Sequence, residues 1–212
     1  MSTVAVVDYG SSNLRSVSKA LLHVAADEHN IVISDIPEQI LAADRVVIPG
    51  QGAIEQCMNG IKSKGLDQVL KECLKNKPFL GICMGLQTLM DESEEDGGIR
   101  GLGIIAGRVL RFPDNIRDAA GNDCKIPHMG WNRVIQTRQH PLWHGIASGE
   151  RFYFVHSYYV QPENNQVITA TTDYSVNFTS AICRDNLFAV QFHPEKSQRA
   201  GLKLLENFLN WE

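Results

Sequence analysis

Phe79 Leu80 Gly81 Ile82 Cys83 Met84 Gly85 Leu86 Gln87 carries an apolar strand straight into a helical pattern, with a glycine two positions before and two after the thiol. Glycines so placed permit a sharp turn, and a nucleophile on such a turn projects from the carboxyl end of a sheet. The helix that follows, expected to run from Cys83 through Met90, offers backbone N–H groups and a positive dipole, both of which favour thiolate. Working outward, Arg45 to Ile48 ends in Pro49 Gly50, Ile31 to Ile33 precedes it, and Thr3 to Asp8 opens the pattern. The Thr3 to Asp8 run is apolar and β-branched before an acidic residue and a Gly turn, which suits a strand of a parallel sheet buried on both faces. Between these runs, Leu14, Val17, Leu21 and Val24 recur at helical spacing, with Asn13 placed to cap the helix. Strand and helix alternate, so the first half reads as an open α/β sheet.

After Gly101 the character changes. Strand-like runs follow at Ile104 to Phe112, Arg151 to Val160, Val167 to Thr172, Ser180 to Cys183 and Phe188 to Phe192, separated by turn signals such as Asp185 Asn186. The segment from Glu195 to Trp211 sets Leu202, Leu205, Phe208 and Leu209 on one face of a closing amphipathic helix. The expected fold class is therefore α/β: an open, mostly parallel central sheet flanked by helices, with an additional antiparallel β-rich portion in the second half. One domain, residues 1–212, is expected to hold all of it.

A chain of 212 residues buries a core without disulfides or a structural metal. Apolar residues are 43% and charged residues 21%, and no apolar run approaches the length of a membrane span. The net charge of −4 and the scattered basic residues argue against a nucleic-acid backbone and for small-molecule substrates. Met1 Ser2 Thr3 begins neither a basic leader nor a cleavage site, so a cytoplasmic location is expected. The five cysteines, at 57, 73, 83, 124 and 183, form no C-x-x-C pair and no ligand spacing with histidine. No metal and no cofactor are expected, and the thiols should be reduced.

Cys57, Cys73, Cys124 and Cys183 are read as small buried hydrophobes. Cys83 is read as a nucleophile because strand, glycine elbow and helix coincide there. Its base should be His193, in Ala189 Val190 Gln191 Phe192 His193 Pro194 Glu195 Lys196, where Pro194 stiffens the turn. Glu195 is placed to accept the second imidazole N–H and fix its tautomer. At an earlier strand end, Pro49 Gly50 Gln51 Gly52 is placed to bring the Gln51 N–H, with that of Met84, to the oxyanion of a tetrahedral intermediate.

Together these motifs resemble the class I, triad-type glutamine amidotransferases, whose hallmarks are a G-x-C-x-G-x-Q elbow, a P-G-x-G oxyanion loop and a late H-P-E, in that order. The resemblance implies that Cys83 attacks the glutamine side-chain amide, that His193 moves the protons and that Glu195 orients His193. Three further stretches, Asp8 Tyr9 Gly10 with Asn13 Leu14 Arg15 Ser16, Pro127 to Asn132, and Tyr153 to Tyr158, are similar to the branch that serves imidazole glycerol phosphate synthases. The likeness runs from Val4 to the last helix. It implies a heterodimer with a separate cyclase subunit, a β/α barrel, which takes the ammonia to make imidazole glycerol phosphate and aminoimidazole carboxamide ribotide in histidine biosynthesis. It also implies that Gly50, Gly52, Gln87, Glu95, Ser157 and Tyr158 hold glutamine. Asn13, Met129, Trp131, Asn132, Tyr153 and Lys196 would lie at the cyclase interface. Relatives often carry Val where this chain has Gln51, a position that would act through its backbone.

Three alternatives stand beside this reading: an amidotransferase of another pathway on the same framework, a scaffold subunit that has lost activity, and a cysteine hydrolase acting on peptides. The Pro127 to Asn132 motif argues against the amidotransferases of anthranilate, aminodeoxychorismate and pyridoxal phosphate synthesis. The intact Cys83, His193 and Glu195 argue against a scaffold.

Overall fold

In the computed structural model, which describes residues 1–117 and 121–212, strand β1 (Ser2–Val7) packs into a core on both of its faces. Val4 and Val6 join one core with helix α1 (Leu14–Val24), while Ala5 and Val7 join a second on the opposite side. Successive side chains of a strand point to opposite faces, so burial on both sides makes the run continuously apolar. Beside it lie β2 (His29–Ser34) and β3 (Arg45–Ile48), then β4 (Phe79–Ile82), all parallel, in the order β2-β1-β3-β4. Helices α2 (Pro37–Ala42), α3 (Ile54–Ser63) and α4 (Leu66–Cys73) cover the second face through Ile40, Ile54, Met58, Ile61, Leu66 and Leu70.

Beyond β4 come α5 (Met84–Gln87), β5 (Met90–Ser93), β6 (Ile99–Arg100), β7 (Ile105–Arg111), β8 (His128–Gln136) and β9 (Glu150–His156). The chain then forms β10 (Tyr158–Pro162), β11 (Ile168–Tyr174), β12 (Val176–Arg184), β13 (Leu187–Val190) and α6 (Gln198–Leu209). The sheet continues from β4 as β13-β12-β10-β7-β5-β6, and β11 branches from β12 to reach β8 and β9. The α/β class, the parallel first half and the antiparallel second half are as expected.

One insertion positions the chemistry. The last strand, β13, enters between β4 and β12 and runs parallel to β4, with Leu187 opposite Phe79 and Val190 opposite Ile82. The Cys83 N–H donates to the Val190 carbonyl at 2.8 Å. Residues just past β4 and just past β13 therefore meet at the same carboxyl edge, where open α/β sheets place their ligands.

Three expectations change. The helix after Cys83 is a single turn rather than a run to Met90. The carbonyls of Thr88 and Leu89, just past the turn, accept from Leu102, Ile104 and Ile105, and the chain passes into β5. A one-turn helix carries little macrodipole, so individual amides and side chains must do what the dipole was expected to do. The closing helix is divided: Pro194–Lys196 forms a 3-10 turn and α6 starts at Gln198. Its inner face is Leu204, Leu205, Phe208 and Leu209, with Leu202 only partly buried. Asn13 makes no side-chain cap on α1.

Candidate active site

Cys83 adopts φ +53° and ψ −103°, a conformation that an L residue pays for in strain. The neighbouring glycines do not make this turn, because neither Gly81 nor Gly85 has a positive φ. Their role is close approach. A Cβ on Gly85 would collide with the Ile48 carbonyl oxygen, and one on Gly81 would lie 2.9 Å from the Gly85 carbonyl oxygen. The missing side chains let α5 settle onto β3 and β4 and push the thiol forward.

His193 and Glu195 follow β13, and their side chains are fully buried. His193 Nδ1 donates to Glu195 Oε1 at 2.8 Å. Asn13 Nδ2 donates to the same oxygen at 2.6 Å, so Asn13 backs the carboxylate from α1. Burial pulls the His193 pKa down, but the Cys83 sulfur as thiolate and the Glu195 carboxylate outweigh it and raise it to about 10. Burial pushes the Glu195 carboxyl up, yet the bonds and charge of His193, with the Asn13 donor, hold it below the usual carboxylate range. His193 Nε2 is buried with no hydrogen bond of ordinary geometry among the described residues, while the Cys83 sulfur lies close enough to raise the pKa of the ring. A buried ring nitrogen beside the thiol, held in orientation through Nδ1, suits a proton carrier awaiting its substrate. Tyr153 brackets the turn: its carbonyl accepts from His193 N at 2.9 Å, and its N–H donates to Ser197 Oγ, which donates to the His193 carbonyl.

A cleft of about 450 Å³ opens at Cys83, lined by Gln51, Gly52, Met84, Gln87, Glu95, Ser157 and Tyr158. A larger hollow, about 750 Å³, lies by His23, Gly145 and Lys203 and is lined by no cysteine. Met84 opens α5, where first-turn amides lack intrahelical partners. Gly52, at φ +100°, bends the facing loop. Gly50 does not line the cleft: it is wedged between Tyr9 and Met84, where any side chain would clash, while Tyr9 Oη donates to the Pro49 carbonyl at 2.5 Å. Glu95, from the acidic run, reaches 41 residues back to accept from Ile54 N at 3.0 Å and so serves the start of α3. Burial raises its pKa against the bond from Ile54. Among the described residues no cluster of His, Cys, Asp and Glu could hold a metal ion.

Gln191 follows β13 directly. It is fully buried, and its Nε2 lies 3.7 Å from Cys83 Sγ. Gln87 Nε2 donates to Gln191 Oε1 at 3.2 Å and to the Tyr158 carbonyl at 3.0 Å. His156 Nδ1 donates to the same carbonyl at 2.8 Å, and His156 Nε2 pairs with His128 Nδ1 at 2.9 Å. Alternation assigns polar residues to the solvent face, so nothing local marked Gln191 and His128 as buried members of one network.

Burial lowers the pKa of His128 to about 4; burial, with the charge of His128, lowers that of His156 to about 3. The unfolded rings, near 6.5, bind protons that the folded rings refuse, so stability is complete above 6.5 and falls as the pH drops toward these values. We expect a loss of roughly 2 kcal/mol per ring by about pH 5. Urea midpoints measured from neutral to about pH 5 check this, and a His156→Gln chain with an equally steep fall would refute it.

The residues expected at an interface separate into two groups. Met129 and Trp131 stand out from β8 at 62% and 43% exposure, Tyr153 on β9 lies opposite Trp131, and Lys196 is exposed with Nζ 5.9 Å from the Tyr153 ring centroid. Asn13, 3% exposed, is instead committed to Glu195. Asn132 turns inward, donating to the Asp173 carbonyl at 2.8 Å and sharing a 3.2 Å bond with His128 Nε2.

The chain belongs to the class-I glutamine amidotransferases, whose family model matches residues 5–211 and so spans the Cys83 elbow, the His193–Glu195 pair and the facing glycine loop. The protein is thus a glutamine amidotransferase, with glutaminase activity. Within the family it is 56% identical to the imidazole glycerol phosphate synthase subunit HisH of Methylococcus capsulatus, covering 100% of this chain and 98% of that one. It is 57% identical to the HisH subunit of Nitrosomonas europaea, covering 100% and 99%. Solved structures share the fold at lower identity. The glutaminase domain of Trypanosoma brucei CTPS superposes with a TM-score of 0.65 at 18% identity, covering 100% of this chain and 95% of that one. A glutamine amidotransferase of Thermotoga maritima gives 0.66 at 16%, covering 94% and 78%.

Proposed function

We propose that residues 1–212 act as one domain, the glutaminase subunit of an imidazole glycerol phosphate synthase, and pass ammonia to a separate cyclase subunit. The observation that carries this is His193, with Nδ1 fixed on Glu195 and Nε2 buried beside a strained nucleophile. Cys83 Sγ attacks the side-chain carbonyl carbon of glutamine, and the oxyanion forms against the N–H groups of Gln51 and Met84. His193 gives its proton to the departing ammonia. It then takes one from water, which hydrolyses the thioester and releases glutamate. Glu195 holds the ring throughout. Gln87, Glu95, Ser157 and Tyr158 line the cleft and hold the substrate, Glu95 facing its ammonium, with Gly52 admitting the chain closely and Gly50 shaping the loop from behind.

The ammonia leaves toward the face of Met129, Trp131, Tyr153 and Lys196, on which the barrel of the cyclase docks. Exposed aromatic and Met residues beside a polar rim suit such docking. No described helix is long and apolar enough to cross a membrane, and on this reading the enzyme works in the cytoplasm. Co-purification with the cyclase, then glutamine hydrolysis with and without the cyclase and its ligand, tests the assignment. Hydrolysis should rise when both are present, because the Gln51 peptide completes the oxyanion site on docking. Equal rates would refute that coupling. Trp131→Ala should weaken cyclase binding at least about tenfold, as loss of a central aromatic anchor does, and unchanged affinity in titration would remove this face from the interface.

A further inference from the structure

We infer that the Gln191 carboxamide is a polar group directed at the Cys83 sulfur, a donor that holds and stabilises the thiolate, with its polarity set by the Tyr158 carbonyl through Gln87. The inference rests on Cys83 being the nucleophile. A carboxamide has a donor end and an acceptor end, and which end faces a neighbour is settled by the whole network. Here the network starts from a group with no choice. A backbone carbonyl only accepts, so Gln87 must turn its Nε2 to Tyr158 O, 3.0 Å away. The same Nε2 donates to Gln191 Oε1 at 3.2 Å. Gln191 must then present Nε2 to Cys83 Sγ, at 3.7 Å. Reversing either amide would set two acceptors against each other in a site where both side chains are at most 2% exposed.

The carbonyl that sets this order is itself pinned. It also accepts from His156 Nδ1, whose Nε2 takes the N–H of His128 Nδ1, and Asn132 Nδ2 completes the line at His128 Nε2. With both Nε2 hydrogens of Gln87 engaged, its Oε1 is the end left for a ligand in the cleft. The one-turn α5 supplies little dipole, so a directed N–H on the sulfur fills part of that role. The other groups that face the thiolate are His193, its partner Glu195, and Tyr9 and Cys57, whose titrations feel its charge.

Gln191→Glu is the sharpest probe, since it keeps the acceptor that Gln87 uses and replaces only the donor facing sulfur. The full chain is alkylated with iodoacetamide across pH, the labelled peptide is identified by mass, and near-UV circular dichroism reports the fold. In wild type the label should fall on Cys83. In Gln191→Glu its rate at neutral pH should drop about tenfold or more and recover toward wild type in alkali, a pattern that a packing defect would not give. In the cyclase complex, kcat for glutamine hydrolysis should fall in parallel while KM moves less than about twofold. Where Gln191→Glu lacks the native near-UV signal, the isosteric Gln191→Met decides by the same readouts. A folded variant alkylated at the wild-type rate at neutral pH overturns the inference alone, whereas wild-type label on another cysteine overturns the nucleophile assignment with it.

Discussion

Replacing Cys83 with glycine is expected to lower glutamine hydrolysis by at least ~10⁴-fold, yet to leave a chain that withstands heat better than Cys83→Ala. Both changes remove the nucleophile, so both should be inactive. They differ in the backbone. At φ +53° and ψ −103° a side chain is strained, and glycine alone relieves it. At an ordinary site alanine is the more stable of the two, because glycine has more freedom to lose on folding. Here the order should invert, with glycine ahead by about 1 kcal/mol, or ~2–4 °C in Tm for a chain of this size. Calorimetry of the two variants checks it. Alanine ahead of glycine would mean that the elbow is not strained and that its geometry is not held by the β4 and β13 ends.

The second large effect should come from a single added methyl. Gly85→Ala puts a Cβ against the Ile48 carbonyl oxygen, and no rotamer can move a backbone oxygen held within β3. We expect a loss of about 3 kcal/mol or more, seen as a large fall in the urea midpoint. Gly10→Ala is the control: Gly10 has φ +98° but nothing within 4 Å of an added Cβ, so it should cost only the conformational term, about 1 kcal/mol. Equal midpoints for the two variants would show that α5 does not need its close seat on β3, and that conformation rather than contact governs both glycines.

These glycines also show where a single sequence stops being readable. Strands β3 and β4 were legible to the residue, because apolar runs closed by Pro49 Gly50 and by the Cys83 elbow have sharp ends. The elbow was legible too, but not its cause: the positive φ belongs to Cys83, and the glycines serve packing. The length of α5 was hidden because the chain just past it, at Thr88 and Leu89, is bonded by Leu102, Ile104 and Ile105 from a later part of the chain. Asn13 has the look of a helix cap, and only the return of the chain 182 residues later brings Glu195 to its amide. Gln191 and His128 sit one strand step from residues that were noticed, and their partners come from other strands. Local pattern carries the elements and the triad; the support around the triad is made of long-range pairs that no local pattern encodes.

The insertion of β13 has a consequence in time as well as in space. The strand that leads to His193 fills a gap beside β4 that stays open until residues 187–190 have been made. A nascent chain holding Cys83 already outside the ribosome has no His193, no Glu195 and no Gln191, and its central sheet ends at an unpaired edge. Glutamine meeting such a chain finds a thiol and no machinery. On the proposed mechanism, glutaminase chemistry waits until β13 has taken its place beside β4.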